Sequence, residues 1–282
     1  MGLIVTILGS GCTYGTPKPG CGCRTFREAA KKGVQRTRFG LLVQGKKGTL
    51  LVDAGPDLRQ QMLDNHFSMR DFDAVYLTHA HYDHFSGVGE FRGLKKAGKL
   101  QVYGGSHCIR LAKEQFGHLR REFVDFKTVK PYEPLRAAGF EITPVRLNHN
   151  YPCTGLAIRE GEKKVCVASD TRLPLPARTM AEFEGADLLV VDGFAETSGD
   201  VRKFSFDVWG KIEDKATFDA HFSVKGLHHL FFRQAEALAR GLRAKKAVSV
   251  HTIHSAPPHC ELAKRHETKK FLVGFDGRKI RV

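Results

Sequence analysis

Residues 78–84 read THAHYDH and follow directly on the apolar run AVYL. That run is bounded by turn-forming residues and predicts a β-strand. His79 and His81 then share one face of the extended chain, because side chains alternate along a strand with a period of two. Asp83 and His84 come immediately beyond, where the chain turns. The stretch therefore predicts a site in which two imidazoles hold one metal ion, while a carboxylate and a third imidazole reach a second ion beside it.

Imidazole and carboxylate ligands suit zinc, manganese and iron equally well, so the residues alone leave the metal open. The alternative is a chance cluster in a solvated loop, since the chain holds 14 histidines and some pairs at this spacing are expected. Four ligand-type residues within six positions, directly after a strand, are much harder to obtain by chance. A metal site is the favoured interpretation.

Short apolar and β-branched runs bounded by Gly, Pro and Asp predict further strands on both sides of this motif. They lie at residues 3–8, 39–43, 49–52, 74–77, 141–147, 154–158, 165–168, 188–191 and 247–251, with a C-terminal hairpin of 271–273 and 279–282 across Asp276-Gly277. Apolar residues at helical spacing predict a helix over 106–116 with Ser106 as its N-cap, and another that begins near His228 or His229. Strands in two runs, each accompanied by helices, favour a four-layer αββα sandwich of the α/β class.

The chain length permits one large domain or two small ones, and a single domain over residues 1–282 is the simpler expectation. The stretch 196–224 has the least regular pattern and predicts an insertion. Aromatic residues at 204–209 within it suggest a surface that meets a partner, such as a second copy in a homodimer.

The composition is that of a globular protein, with 41% hydrophobic and 27% charged residues, which argues against disorder. The balance of 45 Lys and Arg against 30 Asp and Glu gives a net charge of +15, a field that attracts phosphates, nucleic acid or anionic membranes. The basic residues occur in scattered pairs without interleaved aromatics, so the charge equally fits a surface tuned for solubility. It gives weak support for an anionic substrate.

The first residues, MGLIVTILGSG, form a short apolar run without a basic region or a cleavage site, which predicts a strand and not a signal peptide. No segment approaches the ~20 apolar residues of a membrane span. The odd number of cysteines, seven, fits reduced thiols. We therefore expect a cytoplasmic protein that does not bind membranes.

The motif at 78–84 resembles the HxHxDH motif of the metallo-β-lactamase superfamily, whose fold is a four-layer αββα sandwich. Four further positions of that family's pattern have a matching residue in the same order. They are Asp53 in LLVDAG, His149 in LNHN, Asp170 in ASDT and His251 in VSVHTIHS. Taken alone, His149 beside two Asn also fits a turn, and Asp170 before a Thr also fits a helix cap. Their strand-end positions and their order along the chain favour the metal site.

The resemblance implies how these residues divide between two divalent metal ions, expected to be zinc or manganese. His79, His81 and His149 would hold one ion, Asp83, His84 and His251 the other, and Asp170 would bridge them. Asp53 would orient the ligands from behind. Two ions roughly 3.5 to 4 Å apart activate a shared water and stabilise charge on the attacking and leaving oxygens, which places Asp83 and Asp170 among the catalytic residues. Attack of a metal-bridged hydroxide on phosphorus is the natural use of such a site.

His229 lies 22 positions before His251. This spacing resembles the phosphodiesterase branch of the superfamily, where such a histidine assists at the scissile phosphate. In that role His229 would stabilise the developing phosphorane or protonate the leaving oxygen. A polar residue at a helix start is the alternative.

The likeness is greatest to the phosphoribosyl cyclic phosphate phosphodiesterases of phosphonate degradation, relatives of the tRNA 3′-processing endonucleases, and it covers most of the chain. It includes GCGC at 20–23, HTIH from His251 and VGFDG near the C-terminus. The processing endonucleases usually carry a tRNA-gripping arm between the equivalents of His149 and Asp170. The interval in this chain leaves no room for that arm.

Members of this branch hold a remote structural zinc with three cysteines and a histidine. Cys21, Cys23 and His254 match three of those positions, and Phe26 stands where the third cysteine is expected. Because Phe26 replaces that cysteine, this additional zinc site is either lost or completed by another residue. The candidates for that ligand are Cys12, Cys260 and His259. The alternative is that Cys21 and Cys23 bind no metal, since CxC is also a common accident.

The leading hypothesis is a metal-dependent phosphodiesterase that hydrolyses a small cyclic phosphate or a nucleotide-like phosphodiester. A nuclease of the tRNA-processing kind is favoured by the charge but disfavoured by the missing arm and the lack of an RNA-binding motif. The complete ligand set argues against a non-catalytic metal- or nucleotide-binding protein. A thioester hydrolase of the glyoxalase II type shares the HxHxDH motif, but the spacing of His229 and His251 favours phosphoesters.

Overall fold

Two mixed β-sheets form the middle of the protein, whose computed structural model describes residues 2–92, 98–209 and 227–282. The strands are β1 (Ile4–Gly9), β2 (Gly40–Gln44), β3 (Thr49–Val52), β4 (Ala74–Leu77), β5 (Leu100–Gly105), β6 (Val124–Val129), β7 (Leu135–Ala137), β8 (Phe140–Arg146), β9 (Thr154–Glu160), β10 (Lys163–Ala168), β11 (Leu188–Asp192), β12 (Ala247–Val250), β13 (Phe271–Val273) and β14 (Lys279–Arg281). Within these described ranges each sheet has seven strands, in the orders β14-β1-β2-β3-β4-β5-β6 and β13-β12-β11-β10-β9-β8-β7.

Helices cover the outer face of each sheet. They are α1 (Arg24–Lys32), α2 (Leu58–Asp64), α3 (Tyr82–Phe85), α4 (Ser106–Phe116), α5 (Ala177–Phe183), α6 (Ser198–Trp209), α7 (Phe232–Gly241) and α8 (His259–His266). Apolar residues of α2 and α4 pack against the first sheet, and those of α5 and α7 pack against the second. The predicted four-layer αββα sandwich is therefore confirmed. Among the described residues, no helix is both long and apolar enough to cross a membrane.

Strand β11 shows why the central strands read as continuous apolar runs. Leu188 and Val190 belong to the cluster between the two sheets. Leu189 and Val191 belong to the cluster beneath the outer helices. Side chains alternate along a strand, so a strand that is covered on both faces must be apolar at every position.

Parallel pairing brings the candidate ligands to one edge of the sandwich. In the first sheet β3, β4, β5 and β6 run parallel, and in the second β10, β11, β12 and β13 do so. Parallel neighbours end at the same edge of their sheet. Asp53, His79, Asp170 and His251 each lie one or two residues beyond such a strand end. The loops that follow the strands therefore form the site.

The predicted C-terminal hairpin is wrong, although both of its strands exist. β13 pairs with β12 in the second sheet, whereas β14 pairs with β1 in the first. The turn between them carries the chain from one sheet to the other. The Asp276 carboxylate accepts hydrogen bonds from Ser10 N at 2.8 Å and from Thr37 N at 2.6 Å, and these bonds fix the turn against the first sheet.

Two predicted helix starts and the predicted irregular segment also need correction. α7 begins at Phe232, so His229 precedes the helix and does not lie at its N-terminus. Ser106 is the first residue of α4, and Gly105 is its N-cap. Within the stretch 196–224, α6 is regular through residue 209, while residues 210–224 lie outside the described residues.

The loop that follows β3 packs tightly against the 3-10 helix Ser86–Phe91, directly behind the metal-ligand motif. A Cβ atom on Gly87 would lie 2.1 Å from the carbonyl oxygen of Gly55. We therefore expect Gly87→Ala to lower the free energy of unfolding of the metal-free protein by about 1–3 kcal/mol, measured by urea denaturation. Gly89→Ala is the matched control, because its nearest neighbour would be Phe116 Cε1 at 3.7 Å. Equal effects of the two substitutions would contradict this explanation.

Candidate metal site

Three histidines form the first ligand cluster. His79 and His81 follow β4, and His149 lies in the loop between β8 and β9. His79 Nε2 is 2.9 Å from His81 Nδ1, and His149 Nε2 is 3.4 Å from the same Nδ1. One ring nitrogen from each residue lies within 4.8 Å of the other two. The structure thus brings together the three residues that were predicted to hold one ion.

A carboxylate and two histidines form the second cluster. Asp83 and His84 belong to α3, and His251 follows β12 in the other sheet. Asp83 Oδ2 is 3.3 Å from His84 Nε2 and 3.4 Å from His251 Nε2. The three side chains are almost completely buried. This is the set that was predicted to hold the other ion.

Asp170 lies between the two clusters. Its Oδ2 is 3.4 Å from His84 Nε2, and its Oδ1 is 3.2 Å from His251 Nε2. It also shares a three-donor group with His79 and His84, and another with His149 and His229. The carboxylate therefore occupies the position that a bridging ligand requires.

The electrostatics of the clusters fit bound cations. Burial holds the pKa of His79 and His81 below the usual value and lowers the pKa of His149 to about 3, so all three rings favour the neutral form that binds metals. Burial raises the pKa of Asp170, but His251 and His84 outweigh it and hold that pKa well below the usual value. Neutral imidazoles and an ionised carboxylate are the donor set that divalent transition metals prefer. Burial lowers the pKa of His84 and His251, but the carboxylates around these rings outweigh it and raise that pKa above the usual value, so in the second cluster a metal ion would displace protons.

A buried oxygen atom without a hydrogen-bond partner also indicates a bound cation. Asp170 Oδ2 is buried and has no hydrogen-bond partner among the described residues. A buried carboxylate oxygen without a hydrogen-bond partner is costly, and a cation removes that cost. The residues present therefore fit two divalent metal ions.

Asp53 fixes the orientation of His84 from behind. Its Oδ1 accepts from Thr78 N at 2.7 Å, and its Oδ2 accepts from Thr78 Oγ1 at 2.8 Å. Oδ2 also lies 2.7 Å from His84 Nδ1. The bond holds His84 with Nδ1 protonated, so that its Nε2 faces Asp83 and Asp170. The residue thus lies where its predicted supporting role requires.

We expect Asp53→Asn to weaken metal binding by about 10–100-fold, because the amide cannot accept from His84 and Thr78 in the same way. Titration with Zn²⁺ or Mn²⁺ against a competing chelator measures this change. Asp57→Asn is the control, since the Asp57 carboxylate pairs with Arg38 instead, at 3.2 Å. Equal metal affinity in the wild type and Asp53→Asn would show that His84 needs no such orientation.

His229 lies beside the two clusters, although it is not at a helix start. Its ring stacks on Phe194 at 4.2 Å between centroids and on His251 at 5.0 Å. Its Nδ1 is 4.0 Å from Asp170 Oδ1 and 2.8 Å from Asp192 Oδ2. The predicted catalytic histidine is therefore next to the metal ligands.

Asp192 is one of the residues at the candidate site that the sequence analysis missed. It ends β11, is fully buried, and also accepts from Thr171 N at 3.1 Å. The signal was available, because LLVVD places a carboxylate at the end of an apolar strand as LLVD does at Asp53. Asp192 is a buried carboxylate at the sheet edge where the candidate ligands lie, and it can be interpreted like Asp53, as a residue that orients a histidine.

Thr13 and Tyr151 were also missed. Thr13 Oγ1 donates to Asp83 Oδ2 at 2.9 Å. The Tyr151 ring lies 4.7 Å from that of His81, and its hydroxyl is 2.9 Å from His107 Nε2. Thr13 has no motif beside it that marks it for the metal site, whereas Tyr151 directly follows the LNHN stretch that contains His149.

The residues of the predicted structural zinc site are only partly brought together. Cys23 Sγ lies 3.6 Å from the backbone oxygen of His254, and Cys21 Sγ accepts from Cys23 N at 3.3 Å. Cys23 Sγ also accepts from Phe26 N, as the N-cap of α1. Among the described residues, no group of three donors within 4.8 Å includes Cys21, Cys23 or His254. The additional zinc stays a prediction.

The three residues that were candidates to complete the structural zinc site lie in different surroundings. Cys12 is buried, and burial raises the pKa of its thiol to about 12. His259 Nδ1 lies 3.2 Å from Arg36 Nη2, and Cys260 is exposed.

A comparison of the sequence with models of protein families shows to which family the chain belongs. Residues 49–252 match the model of the β-lactamase superfamily domain. The chain belongs to this superfamily. The HxHxDH resemblance and the predicted metallo-β-lactamase fold are thereby confirmed for the larger part of the sequence.

The proteins that are similar to this chain have several different activities. An octanoyltransferase of Porphyromonas gingivalis is 32% identical over 163 residues, which are 55% of this chain but only 32% of that protein. A ribonuclease Z of Bradyrhizobium diazoefficiens is 25% identical over 259 residues, 79% of this chain and 86% of its own. A crystal structure of a diphosphatase from the PhnP family matches with a TM-score of 0.79 and 22% identity, covering 100% of this chain and 98% of that one.

Proposed function

We propose that the protein is a metal-dependent phosphodiesterase that hydrolyses a small cyclic phosphate or a nucleotide-like phosphodiester. The position of Asp170 carries this proposal, because its carboxylate lies near His84 and His251 of one cluster, near His79 and His149 of the other, and near the ring of His229. An arrangement in which two metal sites share a carboxylate, with a histidine beside them, suits in-line displacement at phosphorus.

Seven residues would hold the two ions. They are His79, His81 and His149 for one, Asp83, His84 and His251 for the other, and Asp170 for both. When bound, divalent ions of this kind activate water and stabilise charge on the attacking and leaving oxygens. Zinc and manganese both suit these donors.

The His229–Asp192 pair would deliver a proton to the leaving oxygen. Burial and the neighbouring His251 lower the pKa of His229 to about 3, and burial raises the pKa of Asp192 well above its usual value. Both shifts leave the pair with one shared proton across the 2.8 Å contact between Nδ1 and Oδ2. His229 would donate the proton of its other ring nitrogen, Nε2, to the leaving oxygen while Nδ1 takes up the shared proton, so that the ring ends neutral and Asp192 ends ionised.

A nuclease is the second candidate, supported by the match to ribonuclease Z and by the net charge of +15. Between His149 and Asp170 the structure argues against a long RNA-binding arm. The interval between His149 and Asp170 is filled by β9 and β10, which pair antiparallel through a tight turn at Gly161. A small substrate therefore fits this part of the chain better than a tRNA.

Hydrolysis of bis-p-nitrophenyl phosphate by protein reconstituted with Zn²⁺ or Mn²⁺ tests the proposal. We expect turnover that depends on the added metal and is abolished by chelation. S-Lactoylglutathione, a thioester, and a tRNA with a 3′ extension are the comparison substrates. Protein with two bound ions that cleaves the thioester but neither phosphodiester would refute the proposal, and preference for the tRNA would favour the nuclease.

A further inference from the structure

A cavity of about 150 Å³ lies between α1 and α8. Its walls come from one face of α1, from the stretch that leads into β2, and from the first residues of α8. None of the candidate metal ligands is among its described lining residues, so it is separate from the metal site. A cavity of this volume holds a molecule of about the size of benzene.

A buried cation lines this cavity. Arg36 is only 6% exposed, and its guanidinium donates to Ser10 Oγ at 3.1 Å and to the backbone oxygen of Gly274 at 2.7 Å. It also donates to His259 Nδ1 at 3.2 Å, and burial lowers the pKa of that imidazole to about 4. All three acceptors are therefore neutral.

The charge of Arg36 is not balanced by direct contact with an acid. Burial lowers the pKa of Arg36 to about 10, although Asp276 acts against this shift, so the side chain stays charged at neutral pH. Among the described residues, no carboxylate forms an ion pair with it. A buried cation whose direct partners are all neutral is costly, and an anion in the cavity would remove part of that cost.

The Thr16 hydroxyl is a second polar group of the cavity. Thr16 and Arg36 pair as an antiparallel bridge, in which Thr16 N donates to Arg36 O at 2.9 Å and Arg36 N donates to Thr16 O at 2.8 Å. Directly opposite side chains of such a pair lie on the same face. Thr16 is 6% exposed, and its Oγ1 is buried without a hydrogen-bond partner among the described residues. A bound acceptor would satisfy this hydroxyl.

The N-terminus of α8 also borders the cavity. Its N-cap, Pro258, provides no side-chain hydrogen bond, and Pro258, His259 and Cys260 all line the cavity. The first N–H groups of a helix have no partner within the helix, and together with the helix dipole they favour a bound anion. A cation, a hydroxyl and a helix end therefore meet at one small space.

The other lining residues define the class of anion. Glu28 lines the cavity, but its carboxylate pairs with Arg24 at 3.0 Å and with Lys32 at 3.6 Å. The buried guanidinium therefore remains available for an anion with a single charge. Ala29 and Val34 contribute apolar surface. A phosphate would place its oxygens against these side chains, whereas a short carboxylate would cover them with its hydrocarbon chain.

We propose that this cavity binds a small monocarboxylate of about four or five carbon atoms. The carboxylate would lie against Arg36, Thr16 and the N-terminus of α8, and the hydrocarbon chain against Ala29 and Val34. Hydrogen bonds between a guanidinium and a carboxylate are roughly twice as strong as those between neutral groups. Binding would not depend on the proposed phosphodiesterase activity, because no candidate metal ligand takes part.

Isothermal titration calorimetry of the metal-loaded protein with butyrate, acetate and butyramide tests the site. Acetate has the charge with a shorter chain, so we expect it to bind about tenfold more weakly than butyrate. Butyramide has the shape without the charge and should bind about tenfold more weakly or less. A carboxylate held by the metal ions instead would bind equally well as acetate and as butyrate. Equal affinities of butyrate and acetate, or of butyrate and butyramide, would overturn the site.

Ala29→Leu should abolish butyrate binding, because the larger side chain fills the cavity. Ala30→Leu is the matched control, since Ala30 is exposed on the same helix, and it should bind butyrate as the wild type does. Thr16→Val keeps the inference testable if Ala29→Leu fails to fold. It preserves the shape of the side chain without the hydroxyl, and we expect about tenfold weaker binding. Undiminished binding in Thr16→Val, or no binding of millimolar butyrate to the wild type, would overturn the site.

Discussion

Replacing Asp170 with alanine is expected to reduce kcat for bis-p-nitrophenyl phosphate by about a thousandfold or more. The Asp170 carboxylate lies 3.4 Å from His84 Nε2 and 3.2 Å from His251 Nε2, and it also groups with His79 of the first cluster, so its loss removes the negative charge between the two clusters. One or both ions should then bind weakly. Steady-state kinetics and metal content per chain, determined by mass spectrometry, measure the two effects.

Two control variants, Asp170→Asn and Asp125→Ala, test whether the loss of activity comes from the loss of the Asp170 carboxylate. Asp170→Asn keeps the volume of the side chain and removes its charge, and we expect it to lose activity almost as completely. Asp125→Ala removes an exposed carboxylate that pairs with Lys127 on β6, and it should leave kcat unchanged. An Asp170→Ala protein that binds two ions and turns over at the wild-type rate would contradict the bridging position.

The clustering of the candidate ligands could be predicted from the sequence because its signals are local. Strands β3 and β4 have the bounds that their apolar runs predicted, and each is followed directly by polar residues. Parallel strands end at one edge, so residues such as Asp53 and His79 must meet there. The motif and the strand pattern thus contain most of the geometry of the site.

The predictions of the C-terminal hairpin and of the start of α7 were wrong because both features depend on contacts between distant segments. Asp276-Gly277 is a good hairpin dipeptide, but hydrogen bonds from Ser10 and Thr37 to Asp276 hold the turn against the first sheet and separate its two strands. No property of the turn itself encodes those partners. The start of α7 was placed too early for a similar reason, because Leu227 and Phe231 pack with the same outer cluster without being helical.

Asp192 was missed because its importance depends on a partner 37 positions away, His229. Its position at the end of an apolar strand is visible in the sequence, but its contact with a histidine that precedes a distant helix is not. Once both side chains are placed, the pair explains why a buried carboxylate is tolerated in this part of the core.

Replacing His229 with alanine is expected to slow the hydrolysis of esters with poor leaving groups by about 100–10,000-fold, and that of p-nitrophenyl esters far less. A poor leaving group, such as the sugar oxygen of a cyclic phosphate, needs a proton as its bond to phosphorus breaks. p-Nitrophenolate departs readily as an anion. Measuring kcat for a series of aryl and alkyl phosphodiesters gives the dependence on the leaving group, which should steepen in His229→Ala.

His228→Ala is the matched control, because His228 contacts His149 through its backbone oxygen, at 3.3 Å from His149 Nδ1. It should leave the dependence on the leaving group as in the wild type. Asp192→Asn should show part of the His229→Ala effect, since the amide cannot give the shared proton to His229 Nδ1. If His229→Ala slowed every ester by the same factor, His229 would act on charge at the phosphoryl oxygens and not as a proton donor. The His229 ring stacks on both Phe194 and His251, which fixes the ring plane, so the loss should appear in kcat and not as a higher KM.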